Sequence, residues 1–163
     1  MAGGLRIWNP IELFFDVSVP KYKYVVRSLL LADLWWGVAV LGLVAIKPAA
    51  VIDHRAAGSF TTLFAIVLLL LPLVENTIYL FLVDLVAGHS RARIRISVGA
   101  ALVATVLHTI YSAEAVFLFG SYFIFAAIYL AWREEDRSFG FWLGVMLHAM
   151  FNVPGAAIAF LGR

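Results

Sequence analysis

Four polar side chains, Glu75, His108, His148 and Asn152, lie inside apolar stretches long enough to cross a bilayer. A charged group at the centre of a membrane helix costs about 2.5 kcal/mol or more, so such residues face a bundle interior and mark function. Their chemistry is hydrolytic. An imidazole beside a glutamate can hold its proton and leave the carboxylate to act as a base on a trapped water. A second histidine and an asparagine amide are donors that can meet a developing oxyanion. Together they suit peptide hydrolysis without a covalent intermediate. The sequence has no cysteine, which excludes a thiolate nucleophile, disulfides, iron–sulfur clusters and a lipidated C-terminal CAAX box.

The elements that must position these groups are helices. His148 and Asn152 are four residues apart and share one helix face. Continued by fours, that face reads Gly140, Gly144, His148, Asn152 and Ala156, a small-residue stripe that brings two polar groups into a helix contact or, through its glycines, into a dimer contact. A second stripe, Ala100, Ala104, His108 and Ser112, turns the other histidine inward. Counted from the cytoplasmic ends of the spans proposed below, the four groups fall within roughly 6–8 Å of one another in depth, at about 1.5 Å of rise per residue.

Composition sets the frame. The chain has 163 residues, 64% of them hydrophobic and 13% charged, with a mean hydropathy of +0.97. Such values lie far from those of soluble domains. A spanning helix needs about 20 mainly apolar residues, and five windows qualify: residues 25–46, 58–83, 95–112, 115–132 and 139–161. The expected fold is all-α, a polytopic membrane bundle of five transmembrane helices forming one domain over residues 1–163, with 1–24 as an interfacial segment. Arg6, Lys21, Lys23, Arg27, Arg91, Arg93, Arg95, Arg133 and Arg137 fall on one side of such a bundle, and Lys47, Arg55 and Arg163 on the other. By the positive-inside tendency the N-terminus is cytoplasmic, and the chain is expected to be a multi-pass protein of the cell membrane whose first contact is the lipid bilayer. The run Arg91-Ala92-Arg93-Ile94-Arg95 is then a topology signal against anionic headgroups and not a nucleic-acid site.

The remaining features have plainer readings. Met1 to Pro10 lack the basic and then apolar pattern of a cleaved signal peptide. Asn9 to Val17 predicts a short interfacial helix with Asn9 as cap and Pro10 at its first position. Pro72 and Pro154 predict kinks. Asp33 is expected near the cytoplasmic end of the first span, in a structural role and within reach of Arg27. His54 and His89 read as solvated loop residues. Arg133-Glu134-Glu135-Asp136-Arg137 reads as a solvated turn whose charges neutralise one another.

Three segments carry a family resemblance. Val74-Glu75-Asn76-Thr77-Ile78-Tyr79, Ala104-Thr105-Val106-Leu107-His108 and His148-Ala149-Met150-Phe151-Asn152 resemble, in order and in helix placement, the EExxxR, FxxxH and HxxxN motifs of the CPBP family, which comprises type II CAAX prenyl endopeptidases and bacteriocin-processing membrane proteins. The similarity covers about residues 60–160. It implies a glutamic intramembrane protease in which Glu75 and His108 activate water while His148 and Asn152 form the oxyanion site, acting on a peptide or membrane-protein substrate with no cofactor. The sequence departs from the pattern at Asn76, where the motif has its second Glu, at Leu80, where it has Arg, and at Ala104, where it has Phe. Losing Glu and Arg together removes a supporting ion pair and leaves the tetrad.

Rival readings use the same residues. His108 and His148 on separate helices suit the axial positions of a b-type haem. Glu75, His108 and His148 suit zinc or proton-coupled transport, although no HExxH motif is present. A catalytically inactive CPBP-like protein that binds a membrane partner would also retain them.

Overall fold

The computed structural model describes residues 12–46, 66–88, 92–110 and 113–161, and every regular element among them is helical. The expectations for residues 1–11, for the loop carrying Lys47, Asp53, His54 and Arg55, and for His89, Arg91 and Ser112 lie outside the described residues. Five helices form the body: α1 (Lys21–Ile46), α2 (Leu71–Ala87), α3 (Arg93–Thr109), α4 (Phe119–Trp132) and α5 (Arg137–Leu161). Glu12–Phe15 makes one turn ahead of α1, Ile66–Leu70 a π-helical turn into α2, and Ala113–Leu118 a 3-10 segment into α4.

The ends of α2 follow from two residues. Pro72 sits in its first turn, where a missing N–H costs no intrahelical bond. The kink expected at Pro72 is therefore a junction between a π turn and an α-helix. At the other end Gly88 has φ 39°, a conformation open to glycine and strained for other residues. Its N–H still bonds the Asp84 carbonyl at 3.0 Å, and the helix stops at Ala87 instead of residue 83. Helix α5 continues through Pro154 to Leu161.

Helix α4 is the axis of the bundle. From Gly120 to Trp132 all its residues but Phe123 are buried, because the other helices pack around it. Gly120 permits the closest approach: a Cβ there would lie 2.0 Å from Trp35 Cε2, and the Trp35 indole donates to the Phe117 carbonyl at 3.3 Å. The stripe on α5 also packs inward. A Cβ on Gly140 would meet Trp132 Cβ at 3.0 Å, and one on Gly144 would face Asn76 Nδ2 at 3.8 Å. Both glycines thus serve contacts within the chain, which corrects the dimer alternative.

One end of the bundle carries an ionic belt. Asp84, at the end of α2, pairs with Arg133 at 2.8 Å and with Arg137. Arg137 Nε donates to the Tyr129 hydroxyl at 2.7 Å, and Arg133 Nη2 to the Gly88 carbonyl at 3.0 Å. Arg93 lies 3.6 Å from Glu134. Asp136 caps α5 by accepting the Phe139 N–H at 2.9 Å, and its other oxygen meets Lys21 Nζ, at the start of α1, at 2.5 Å. The 133–137 turn, expected to be merely solvated, ties α1, α2, α3 and α5 together. The N-terminal turn also packs on the bundle: the Phe14 ring meets Phe123 edge-on at 6.0 Å, and Tyr24 donates to the Phe14 carbonyl at 2.6 Å.

Two stretches among the described residues are long and apolar enough to cross a membrane, Lys21–Gly42 and Ala115–Trp132. They differ in setting: 67% of the second is buried within the chain, against 11% of the first. The outer surface is apolar beyond α1 as well, with Leu85, Val86, Val103, Val106 and Ile110 all exposed.

Candidate active site

Glu75 lies one turn into α2, just past Pro72. Its Oε2 stands 3.4 Å from His148 Nε2 on α5, with the glutamate side chain 38% exposed and the histidine 10%. On the far side of the imidazole, Nδ1 lies 3.3 Å from Asn76 Oδ1. An amide oxygen only accepts, so Nδ1 carries a hydrogen in this arrangement. His148 Nε2 is then the ring nitrogen that faces the Glu75 carboxyl. Phe125 stacks on the His148 ring at 5.1 Å and 22° and fixes its plane.

Asn76, the departure from the family motif, is completely buried and its Nδ2 has no hydrogen-bond partner among the described residues. Gly144, one turn before His148, faces this amide with room for a Cβ. Leu80, the other departure, is 2% exposed and packs in the core. Neither position leaves a buried charge behind.

His108 is held differently. Its Nδ1 lies 2.8 Å from the Ala104 carbonyl one turn back on α3, so this nitrogen donates, and Nε2 accepts from the Tyr122 hydroxyl at 3.1 Å. Tyr122 in turn receives the Tyr79 hydroxyl on its backbone carbonyl at 2.8 Å. A chain of hydrogen bonds thus runs from α2 through α4 to α3. Glu75 thus has His148 as its near partner, while His108 leans on its own helix and on Tyr122 and borders the same cavity as Glu75.

All four sequence-predicted residues line one cavity of about 420 Å³, together with Trp36, Ser121, Tyr122, Phe125 and Phe151. A second hollow of about 730 Å³ opens between α2 and α3. It runs from Arg95 at the belt end, between Ile78, Leu82, Val86, Val103 and Leu107, to Glu75, His108 and Tyr122, which border both spaces. The polar groups therefore stand where the groove meets the smaller chamber. Along the helices from the belt, Glu75, His148, His108 and Asn152 lie about 14 to 23 Å in, at about 1.5 Å per residue.

Chemically, the chamber has a carboxylate–imidazole pair, a phenol hydrogen-bonded to a second imidazole, and a primary amide. Among the described residues no three His, Cys, Asp or Glu side chains converge as a metal-binding group, so the ligand set of the zinc alternative is not assembled in this geometry. Sequence reasoning passed over Tyr122, Tyr79 and Asn76 as site residues. Tyr79 follows Glu75 by one helical turn, and Tyr122 follows Gly120-Ser121 in an otherwise apolar stretch, where a buried hydroxyl needs a partner. Those spacings were the available signals. No protein-family model, curated protein or solved structure matches this chain.

Proposed function

We propose that the chain is a multi-pass protein of the cell membrane, N-terminus cytoplasmic, that hydrolyses a peptide bond within or beside the bilayer. The approach of Glu75 Oε2 to His148 Nε2, at 3.4 Å on the wall of a chamber shared with His108 and Asn152, carries the reading. Support for the membrane comes from the apolar exterior, larger than soluble monomers tolerate, and from the two spanning-length stretches. The belt that gathers Lys21, Arg93, Arg133 and Arg137 at one end supports placing that end in the cytoplasm.

In the proposed reaction Glu75, with His148 beside it, takes a proton from water as the water oxygen adds to the scissile carbonyl. The Asn152 amide supplies hydrogen bonds to the oxyanion, while the Tyr122 hydroxyl, which gives its one hydrogen to His108 Nε2, holds the second imidazole against the chamber. Collapse breaks the C–N bond, and the proton passes to the departing amine. This division moves His148 from the oxyanion role implied by the family resemblance to the water-activating pair. The groove between α2 and α3 gives an extended apolar segment a lateral path to the same atoms.

Labelling of new peptide N-termini in cells producing wild type, Glu75→Gln or His148→Ala tests the proposal. Termini that appear with wild type and vanish with both variants support it. An unchanged set in Glu75→Gln removes the glutamate mechanism. The inactive partner-binding reading draws on Asn76 and Leu80, where the motif charges are absent, and it predicts no new termini with any of the three.

A further inference from the structure

Helix α1 is the span least covered by the rest of the chain, and Asp33 is exposed on it. With Lys21 and Ile46 as the helix ends, Asp33 stands midway, about 18 to 20 Å from either end at about 1.5 Å per residue. The sequence placed it near the cytoplasmic end, beside Arg27. Arg27 instead turns toward the N-terminal turn, donating to the Asp16 carbonyl at 2.8 Å with its other nitrogen 3.9 Å from the Asp16 carboxylate. Asp33 is left among Leu30, Leu34 and Val38, all exposed.

Carboxylates inside a membrane pair with an opposite charge or face a polar interior. Asp33 has no ion-pair partner among the described residues. The hollow beside it, about 320 Å³, is lined by Leu29, Ala32, Trp36, Leu147, Met150 and Phe151, none of them cationic. One turn further along, a Cβ on Gly37 would meet nothing within 4 Å, so the backbone is bare on the open side. Leu30, Asp33, Gly37 and Leu41 follow one another at helical spacing. A small residue beside a polar one on an apolar face is how membrane helices approach closely and hydrogen-bond.

We infer that this face of α1 docks a transmembrane helix of another protein, whose lysine or arginine meets Asp33 near the middle of the bilayer. A basic helix suits this face better than a second copy of the chain, whose own Leu30, Asp33, Gly37 and Leu41 bring no cation to a two-fold pairing. Gly37 lets the partner backbone come close, and the hollow between Trp36 and Met150 receives the aliphatic stem of the basic side chain. The docking site rests on the membrane reading given above.

The test uses the full chain, donor-labelled, in phosphatidylcholine vesicles with an acceptor-labelled polyleucine helix of about 20 residues bearing one central lysine. The same helix with leucine at the centre is the control. Energy transfer is expected to report at least tenfold tighter association of the lysine helix with wild type. Asp33→Asn abolishes that preference, and Gly37→Leu, which has room in the isolated chain, weakens it. Equal association of the lysine helix with wild type and Asp33→Asn overturns the docking site, as does a lysine helix no better than the leucine one. A chain that an alkaline wash strips from the vesicles overturns the membrane reading, and the docking site with it.

Discussion

Replacing Asn76 with leucine separates what the buried amide does for folding from what it does for the site. Asn76 is fully buried, gives His148 Nδ1 one long contact of 3.3 Å, and leaves Nδ2 without a partner among the described residues. Losing the contact takes the acceptor from His148 Nδ1 and leaves that buried N–H unmade, at a cost of about 1–3 kcal/mol. Leucine, with the same branching, removes the unmade Asn76 Nδ2 donor, a gain of similar size. The two effects offset, and Asn76→Leu is expected to leave stability within about 2 kcal/mol of wild type, read by denaturant unfolding in lipid–detergent mixtures. Peptide cleavage should fall at least tenfold, because the imidazole loses the acceptor that fixes the hydrogen on Nδ1 and leaves Nε2 for Glu75. A loss of stability beyond about 3 kcal/mol refutes the reasoning, since it means that the amide is an essential structural link. Unchanged cleavage refutes the positioning role.

Other perturbations probe neighbouring parts of the account. Tyr122→Phe removes the hydroxyl 3.1 Å from His108 Nε2 and is expected to lower cleavage by about tenfold, equal to about 1.4 kcal/mol, with little change in unfolding. Gly144→Ala should be tolerated in a thermal-unfolding series, because its Cβ meets Asn76 Nδ2 and Leu80 only at 3.8 and 3.9 Å. Gly140→Ala should unfold earlier, since its Cβ meets Trp132 Cβ at 3.0 Å and the Tyr129 backbone at 3.4 Å. The bond from Lys21 and the Phe139 N–H hold the Asp136 carboxyl below its ordinary 3.8. Its contribution is therefore present above about pH 4 and is lost as pH falls further through the lowered value. Unfolding midpoints followed from neutral to acidic pH should show that loss in wild type, and a smaller one in Asp136→Asn.

The helical class and the ends of most elements were legible because apolar runs separated by charged turns leave few alternatives to a helix bundle. Glu75, His108, His148 and Asn152 were legible for the same reason: a polar residue in an apolar run has to go somewhere, and the stripes on α3 and α5 pointed inward. Their pairing was not. Which histidine meets Glu75 depends on how α2 rotates against α5, and the contact that records this rotation, His148 Nδ1 to Asn76 Oδ1, joins residues 72 positions apart. The Arg27 expected near Asp33 turns instead to Asp16 ahead of α1, a contact across a turn that helical spacing does not reveal. The ionic belt was hidden because the five charges of the 133–137 turn look self-neutralising in sequence, whereas their partners Asp84, Arg93 and Lys21 come from other helices.

Cleavage in isotopically labelled water tests the central claim most directly. Wild type and Glu75→Gln, each reconstituted in vesicles with a mixed set of membrane-helix peptides, are compared in water enriched in oxygen-18 by mass spectrometry of the products. The expected result is peptide products from wild type carrying one heavy oxygen in the new C-terminal carboxyl, and none from Glu75→Gln. Equal product from the two proteins, or no product from wild type across the set, contradicts a Glu75-activated water.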